Sequence, residues 1–485
     1  MHPDYEMVIG LEVHAQVNTK SKLFSGSSTE FGAEPNTQAN CIDLGMPGML
    51  PVLNQAAVSA GIKLGLAIGA TVSPVSVFAR KNYYYPDLPK GYQISQYEKP
   101  IVENGMVSID LDDGTTKEIR VERMHLEEDA GKSVHDIGLE SHSHVDLNRA
   151  GIPLMEIVSR PDLRTPEEAG AYMKKLRAIL RFIDVCDGNM EQGSLRCDAN
   201  VSVRKKGVET LGTRCEIKNL NSIRNVMRAI QYEADRQIDV LEDGGKIQQQ
   251  TRLWDNDKAE TRAMRSKEDA HDYRYFPDPD LLPLRVSGAR ITEIRETMPE
   301  LPDQMKERFI EAYGLSVYDA SVLTISRQNA EYFEAALSLK NGKPERDPKL
   351  LTNWMTVELF AALNKAGKDI MDSPVSPEQL SELVSLIEEG EISGKIAKQV
   401  FAEMLETSKD PSNIVEEKGL KQISDTGALE EIIQKVMDDN EDSVEKYRNG
   451  NERIFGFFVG QVMKATQGQA NPGVVNELLK KALAG

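Results

Sequence analysis

Two neighbouring runs of the chain, 194–204 and 214–218, combine acidic, basic and short polar side chains in a regular pattern. Apolar residues occupy every second position, which predicts two half-buried β-strands that form an antiparallel hairpin. On the polar face, Asp198 is expected near Glu216 or Lys218, depending on strand register. Because carboxylates bind cations while Lys and Arg bind anions, this face could hold a metal ion and a phosphate together. A plain solvated strand face is the alternative.

The run 5–17 near the N-terminus shows the same two-residue period. Glu12 and His14 fall on one face of the predicted strand, about two residue rises apart. A carboxylate beside an imidazole could ligate one cation or work as an acid–base pair. The alternative is an ordinary surface histidine.

Residues 119–133 end in Gly131-Lys132-Ser133, which resembles the end of a phosphate-binding P-loop. That motif needs a glycine five positions before Gly131, where this chain has Leu126. The acidic residues 127–129 would also repel a phosphate. We therefore predict a strand that ends in an acidic cluster, with Glu127 as a candidate Mg²⁺ ligand. An acidic turn without a ligand is the alternative.

A further carboxylate, Glu156, is flanked by apolar residues in the run 154–158. Burying an unpaired carboxylate is unfavourable, so Glu156 is expected to have a ligand or a partner. The same stretch offers other candidate ligands or phosphate contacts, namely Asp146, Asn148, Arg160 and Asp162.

Two stretches, 80–93 and 260–283, interleave basic residues, tyrosines and prolines, and we predict that both are loops. Aromatic rings can stack on bases while Lys and Arg contact phosphates, so both loops are candidate nucleotide or RNA contacts. The alternative for the first is a surface loop that its tyrosines pin to the domain.

Composition sets the remaining bounds. The 485 residues suffice for two to four domains, and 40% hydrophobic with 28% charged residues is typical of a globular protein. The net charge of −19 argues against nucleic acid as a partner, but the charged residues are distributed unevenly along the chain. Residues 378–445 carry 18 acidic and 6 basic side chains, whereas 446–485 carry 2 acidic and 6 basic ones. A local basic surface is therefore compatible with the net charge.

The four cysteines show no Cys-x-x-Cys spacing, which argues against a structural zinc site and suits a reducing cytosol. No signal peptide is expected at the N-terminus. Polar residues and a proline interrupt the most apolar window, 50–79, so it predicts a buried helix instead of a membrane span.

The hydrophobic pattern predicts an α+β protein. Helices are expected over 54–69, from Thr165 to about Ile183, and near 222–243. Beyond about residue 292 the patterns become helical. The basic end of the tail, with Lys464 and 467–471 after an apolar helix, indicates either a recognition module or a plain capping domain.

Taken together, these motifs resemble the B subunits of the tRNA-dependent amidotransferase that acts on misacylated Glu-tRNA(Gln) and Asp-tRNA(Asn). The matching runs span nearly the full length: Gly10–His14, Lys81–Tyr92, His125–Lys132, Asp146–Gly151, Met155–Asp162, Arg196–Ser202, Glu216–Asn221, Arg274–Asp280 and Lys464–Pro472.

The resemblance implies a mainly antiparallel β cradle domain with helices over 1–292, an all-α linker over 293–405 and an all-α, tRNA-binding tail over 406–485. It also implies a cytoplasmic heterotrimer, free of membrane contacts, with an amidase-type A subunit and a small C subunit. The predicted activity is that of a ligase with glutamine as amido donor. This subunit would phosphorylate the tRNA-bound carboxylate with ATP and Mg²⁺, and ammonia from the A subunit would displace the phosphate.

With that chemistry in mind, the candidate residues take three roles. We predict one cation site, bound directly or through water, from Glu12, His14, Glu127, Glu156, Asp198 and Glu216. The predicted phosphate contacts are Lys81, Arg160 and Lys218. The predicted pocket for the nucleotide or the acceptor end of tRNA includes Tyr83, Tyr84, Tyr85 and Arg274, within the aromatic runs 83–85 and 273–276. A tRNA-binding scaffold and a small-molecule carboxylate–amine ligase are the alternative functions.

Overall fold

The computed structural model describes residues 2–134, 144–266, 272–337, 345–421, 426–466 and 469–484. The chain divides into two compact units, Met1–Pro302 and Asp303–Gly485. The first unit contains the strands and the second is helical, so the predicted α+β class is confirmed. The finer division of the helical part at residue 405 stays a prediction.

The first unit is organised around a β-sheet. In chain order, the strands are β1 (Tyr5–Gln16), β2 (Thr71–Val72), β3 (Val75–Ser76), β4 (Phe78–Asn82), β5 (Tyr92–Gln96), β6 (Val102–Asp110), β7 (Thr116–Glu128), β8 (Lys132–Val134), β9 (His144–Asp146), β10 (Pro153–Ser159), β11 (Leu195–Lys205), β12 (Cys215–Leu220), β13 (Gln250–Asp255), β14 (Glu260–Ser266), β15 (Phe276–Pro277) and β16 (Leu284–Arg285).

Nine of the described strands form the main sheet, in the order β14-β13-β12-β11-β1-β10-β7-β6-β2. Neighbours are antiparallel except β12 and β13, which are parallel. The predicted hairpin of β11 and β12 is confirmed, with Asn200 opposite Glu216. A register shift between Cys197 and Ala199 interrupts this ladder.

The alternation of side chains separates the two faces of this sheet. Leu11, Val13 and Ala15 of β1 are fully buried and join the main hydrophobic core. Helices α1 (Gln55–Ala67), α2 (Pro166–Phe182) and α3 (Ile223–Glu242) pack on the sheet, which confirms the three predicted helices. The alternate residues of β1, Glu12 and His14, point to the opposite, polar face.

Helix boundaries and packing follow from single residues. The Thr165 hydroxyl accepts a hydrogen bond from the Glu168 backbone N–H (3.1 Å) and thereby caps α2. In α1, a Cβ at Gly65 would lie 2.8 Å from a methyl group of Val102, so glycine allows α1 to approach β6 closely.

Strand β4 lies between β5 and β15 in a separate three-stranded sheet, and it carries Lys81. The prediction of two continuous loops is wrong in part. Strands β4 and β5 include the ends of the stretch 80–93, and β14 and β15 lie within the stretch 260–283, where β14 pairs with β13. Tertiary strand pairing overrides the polar local composition there. Residues 267–271 of that predicted loop lie outside the described residues.

Helix α4 (Gly288–Glu296) closes the first unit. The helices of the second unit are α5 (Pro302–Tyr313), α6 (Val317–Leu323), α7 (Arg327–Leu337), α8 (Pro348–Asn353), α9 (Phe360–Ala366), α10 (Pro377–Glu388), α11 (Gly394–Thr407), α12 (Pro411–Glu417), α13 (Thr426–Asp438), α14 (Glu441–Arg448), α15 (Phe455–Ala465) and α16 (Pro472–Ala484). A π-helical segment, Trp354–Leu359, joins α8 to α9, and 3₁₀ turns occur at Ile370–Asp372 and Glu452–Ile454.

The end of the chain has its own hydrophobic cluster, which includes Leu429, Ile433, Phe458, Val475 and Leu479. Of the predicted recognition segment after α15, residues 467 and 468 lie outside the described residues. Throughout the part of the chain that the structure describes, each helix is too short or too polar to cross a membrane.

Candidate active site

Strand pairing gathers side chains that are far apart in sequence on the polar face of the main sheet. His14 of β1 lies opposite Glu156 of β10, and Glu156 lies opposite His125 of β7. On the other side of β1, Glu12 lies opposite Asp198 of β11. The central position of β1 therefore joins two groups of carboxylates, which we describe in turn.

The first group, here called the histidine cluster, consists of His14, His125, Glu127 and Glu156. The Nε2 atoms of His14 and His125 each lie 3.4 Å from Oε2 of Glu156. His125 Nε2 is also 3.4 Å from Oε2 of Glu127, which accepts a hydrogen bond from the Ser95 hydroxyl (3.0 Å). Potential ligand atoms of His14, Glu127 and Glu156 all lie within 4.8 Å of one another.

Burial and charge act in opposite directions in this cluster. Burial lowers the pKa of both imidazoles, but the charges and hydrogen bonds of Glu156 and Glu127 outweigh it, so that the pKa of His14 is raised and that of His125 reaches about 9. Burial likewise raises the pKa of Glu127 and Glu156, whereas their histidine partners lower it more, and both carboxyl groups remain ionised at neutral pH. The imidazoles and the carboxylates of the cluster thus stabilise each other's charged forms.

The second group, here called the lysine cluster, consists of Glu12, Asp198, Glu216 and Lys218. The Lys218 ammonium lies 2.5 Å from Oδ2 of Asp198 and 2.8 Å from Oε1 of Glu216, so both predicted neighbours of Asp198 meet there. Burial lowers the Lys218 pKa, but these two carboxylates raise it overall. Burial raises the pKa of Glu12, as do the charges of Glu156, Glu216 and Asp198. The charge of Glu156 in the histidine cluster therefore acts on Glu12 in the lysine cluster.

Lys81 of β4 approaches the histidine cluster from the neighbouring small sheet. Burial lowers its pKa, but the negative charges of Glu127 and Glu156 raise it overall. The ammonium lies 5.1 Å from the ring centre of Tyr273 and 5.9 Å from that of Tyr83. Lys81 is therefore a cation placed between carboxylates and aromatic rings.

These rings belong to a continuous series of edge and stacking contacts, here called the tyrosine row. Ring centres lie 6.0 to 6.1 Å apart from one tyrosine to the next until the last pair, which stacks at 4.3 Å. The order along the row is Tyr85, Tyr83, Tyr273, Tyr275 and Tyr97. The predicted aromatic runs thus meet in space.

Other predicted residues lie apart from this assembly. The Tyr84 side chain is 89% exposed, and the exposed Arg274 side chain has Asp272 as an ion-pair partner at 3.8 Å. Arg160 follows β10, is exposed, and donates its backbone N–H to the carbonyl of Arg120 (2.8 Å).

Several acidic candidates instead have structural partners. The ammonium of Lys90 contacts Glu128 (2.5 Å), and Arg196 contacts Asp129 (2.9 Å), so only Glu127 of the predicted acidic cluster joins the histidine cluster. Asp162 is paired with Arg120. Asp146 and Asn148 accept hydrogen bonds from backbone N–H groups of Asn36 and Gln38, and thus hold the segment 33–38.

Sequence reasoning assigned no role to His125. A signal was nevertheless present, because His125 and Glu127 are two residues apart in a strand, just as Glu12 and His14 are. The same two-residue period that placed Glu12 and His14 on one face applies to this pair.

Comparisons with known proteins show to which family the chain is similar. The family model of the GatB/GatE catalytic domain matches residues 7–292, and the GatB domain model matches residues 331–483. The chain is 60% identical to the B subunit of the aspartyl/glutamyl-tRNA(Asn/Gln) amidotransferase of Thioalkalivibrio sulfidiphilus, over 99% of this chain and 100% of the relative. The protein of the same name from Zymomonas mobilis is also 60% identical, over 99% of this chain and 97% of the relative.

The chain belongs to the family of amidotransferase B subunits. The predicted resemblance is thereby confirmed along nearly the whole sequence. Both clusters and the tyrosine row lie within the part of this family member that the catalytic-domain model matches.

Proposed function

We propose that this chain is the carboxylate-activating subunit of an enzyme that amidates misacylated Glu-tRNA(Gln), Asp-tRNA(Asn) or both. The relatives' name describes an amidotransferase that acts on these tRNAs, and membership of the family supports the predicted ligase class and the use of ATP. The observation that carries the proposal is the pair of clusters on one sheet face, where carboxylates, imidazoles and two lysine ammonium groups converge.

The proposed reaction has two steps. An oxygen of the tRNA-bound carboxylate attacks the γ-phosphorus of ATP, the bond to the β,γ-bridging oxygen breaks, and ADP leaves. Ammonia then attacks the carbonyl carbon of the acyl phosphate, inorganic phosphate leaves with the former carboxylate oxygen, and the nitrogen loses a proton to give the amide. Phosphoryl transfer of this kind depends mainly on positioning and on positive charge near the transferred group.

The histidine cluster suits a divalent cation. Carboxylate oxygens are the ligands that Mg²⁺ prefers, and the imidazole of His14 supplies a nitrogen ligand that Mn²⁺ or Zn²⁺ also accepts. Glu127, Glu156 and His14 would hold Mg²⁺, and Glu12, Asp198 and Glu216 would contact it through water. When bound, the cation would supply positive charge to the phosphates.

The lysines are the proposed phosphate contacts. Asp198 and Glu216 hold the Lys218 ammonium by ion pairs, whereas Lys81 lies between aromatic rings within the electrostatic influence of Glu127 and Glu156. Arg160 is a weaker candidate, because it is exposed beyond the end of β10.

The relatives are named as one subunit of an amidotransferase, which supports a complex of several subunits that uses tRNA. We propose that an amidase-type A subunit supplies ammonia, that a small C subunit completes a heterotrimer, and that residues 406–485 contact the tRNA body. A cytoplasmic location also stays a prediction.

The proposal can be tested with the assembled complex, misacylated tRNA, Mg²⁺ and γ-labelled ATP, without any ammonia source. We expect phosphate release that depends on misacylated tRNA and is abolished by Asp198→Ala and by Glu156→Ala. Glu118→Ala, which changes an exposed carboxylate of the same strand as Glu127, is the control and should release phosphate normally.

The alternatives predict different results. Absence of phosphate release, or release unaffected by both cluster variants, would show that the face is a tRNA-binding scaffold. Phosphate release without tRNA would instead indicate a ligase for a small carboxylate.

A further inference from the structure

His125 is the more deeply buried of the two histidines in the histidine cluster. Its side chain is 6% exposed, whereas that of His14 is 19% exposed. Strand β5 packs against β7 beside it, where the Leu126 backbone N–H donates a hydrogen bond to the side-chain oxygen of Gln96 (3.1 Å). A buried imidazole is unfavourable unless its polar atoms have partners, so the contacts of His125 indicate what the residue does.

The polar contacts of His125 run through one of its two ring nitrogens. Nε2 lies 3.4 Å from Oε2 of Glu127 and 3.4 Å from Oε2 of Glu156. Among the residues that the structure describes, the buried Nδ1 atom has no hydrogen-bond partner. The orientation of the ring is therefore coupled to the orientation of these two carboxylates.

The two oxygens of Glu127 have different surroundings. Oε1 lies 4.0 Å from Nε2 of His14. Oε2 accepts a hydrogen bond from the Ser95 hydroxyl (3.0 Å) and lies beside His125. Because Ser95 and His125 hold one oxygen, they also fix the direction of the other oxygen toward His14.

His125 contacts the proposed cation ligands without belonging to them. The ligand atoms that lie within 4.8 Å of one another come from His14, Glu127 and Glu156, and in the described part of the chain this set does not include His125. Side chains that form hydrogen bonds to metal ligands orient those ligands, and their loss typically lowers metal affinity by about 10- to 100-fold. The position of His125 fits this role.

We propose that His125 is a positioning residue of the cation site, which holds Glu127 and Glu156 in the orientation that binds the ion and is not itself a ligand. The proposal rests on the proposed function, in which these carboxylates bind a divalent cation. It also defines the atom that matters. An amide N–H at the place of Nε2 can replace the imidazole in part, whereas a hydrocarbon side chain cannot.

The test measures binding of Mn²⁺ to the assembled complex by electron paramagnetic resonance, and the binding that Glu156→Gln abolishes defines the site. His125→Leu should raise the Kd by about 10- to 100-fold. His125→Gln should raise it less, because its amide nitrogen reaches the place of Nε2. His125→Asn, whose shorter side chain reaches only the place of Nδ1, should resemble His125→Leu. His144→Gln, at an exposed histidine of β9, is the matched control and should bind Mn²⁺ normally.

A spectroscopic signature distinguishes a positioning residue from a ligand. The electron spin echo of bound Mn²⁺ is modulated by the ¹⁴N nucleus of a coordinated imidazole. We expect this modulation in the unsubstituted complex, its loss in His14→Gln and its retention in His125→Gln at saturating Mn²⁺. Loss of the modulation in His125→Gln would identify His125 as a ligand and overturn the proposal.

An unchanged Kd in His125→Leu would also overturn the proposal, as would the absence of any Mn²⁺ binding that depends on Glu156. If His125→Leu has a lowered melting temperature, the Gln and Asn variants are compared instead, and equal Kd values in these two would overturn it. Binding is measured without turnover. Failure of the proposed function would therefore appear separately, as normal Mn²⁺ binding in an unsubstituted complex that releases no phosphate.

Discussion

The histidine cluster and the lysine cluster share strand β1 but balance their charges differently. In the histidine cluster, two nearly buried imidazoles hold Glu127 and Glu156 in place, and a shared ligand site lies among them. In the lysine cluster, one half-exposed ammonium bridges Asp198 and Glu216. The first arrangement offers ligand atoms for the proposed cation, whereas in the second a lysine on a flexible stem could exchange a carboxylate for the proposed phosphate.

The largest predicted effect tests whether the clusters act as one unit. Glu156→Gln should lower tRNA-dependent phosphate release by at least about 100-fold, because it removes a proposed cation ligand and the partner of two histidines. Asp198→Asn should have a smaller effect. The double variant should be no slower than Glu156→Gln alone, since residues of one catalytic unit are not additive. If the rate losses of the two single variants multiply in the double variant, measured in single-turnover assays, the two clusters act independently.

Next in size is the effect of removing the bridging ammonium. Lys218→Met should lower the rate of phosphate release by about tenfold, through loss of the proposed charged phosphate contact. Lys218→Arg should retain more activity than Lys218→Met. Lys206→Met changes an exposed lysine of the same hairpin and is the control. A normal rate in Lys218→Met, measured at saturating ATP, would mean that the lysine only stabilises the hairpin.

A carboxylate outside both clusters provides a structural counterpart to them. Glu233 of α3 is fully buried and pairs with Arg236 (2.6 Å) and Arg252 (3.1 Å). Glu233→Gln should lower the stability at pH 7 by about 2 kcal/mol, because charged hydrogen bonds are weakened. Phosphate release per folded molecule should not change, in contrast to the large loss expected for Glu156→Gln. Loss of activity without loss of stability would contradict this assignment.

The pH dependence of that stability has a defined sign. Burial raises the Glu233 pKa, but the arginines and other hydrogen-bond donors lower it overall. The stabilisation is therefore fully present above the ordinary glutamate pKa of about 4.3 and is lost as the pH falls through the lower folded-state value. Melting temperatures of the two proteins should converge below about pH 4. A constant difference between pH 7 and pH 3 would exclude this account.

The smallest predicted effect concerns the support of the tyrosine row. Arg80 of β4 contacts Asp278 (2.8 Å) and Asp280 (2.9 Å), and thereby ties the segment after Tyr275 to the strand that carries Lys81. Arg80→Gln should raise the KM for misacylated tRNA a few-fold and leave unchanged the Kd of the non-hydrolysable ATP analogue AMP-PNP, measured by titration calorimetry. Arg290→Gln, at an arginine outside this network, is the control. A changed Kd for the analogue would connect the row to the nucleotide instead.

The sequence predicted the parts of the site that depend on the residue pattern within one strand or helix. The two-residue alternation placed Glu12 with His14 and Asp198 near Glu216 or Lys218, and helix caps such as Thr165 marked the helices. The alternation of residues within one strand does not determine which strands become its neighbours in the sheet. That β1 pairs with both β10 and β11, and so joins the two clusters, is decided by long-range packing.

The prediction was least informative where polar composition resembled a loop. Strand β14 was missed because its residues form an edge strand whose pairing with β13 is tertiary. The acidic run 127–129 was treated as one cluster, whereas Lys90 and Arg196 draw Glu128 and Asp129 in other directions. Which carboxylate meets which cation depends on side chains from distant strands.

The position of β1 between β10 and β11 also bears on biosynthesis. β1 is translated long before either neighbour, so during elongation this apolar strand has both edges unpaired. Because unpaired strand edges promote aggregation, β1 is most exposed to aggregation until β11 leaves the ribosome. The lysine cluster needs β12 as well, because Glu216 and Lys218 lie on that strand. A nascent chain stalled before β12 therefore lacks part of the proposed phosphoryl-transfer site.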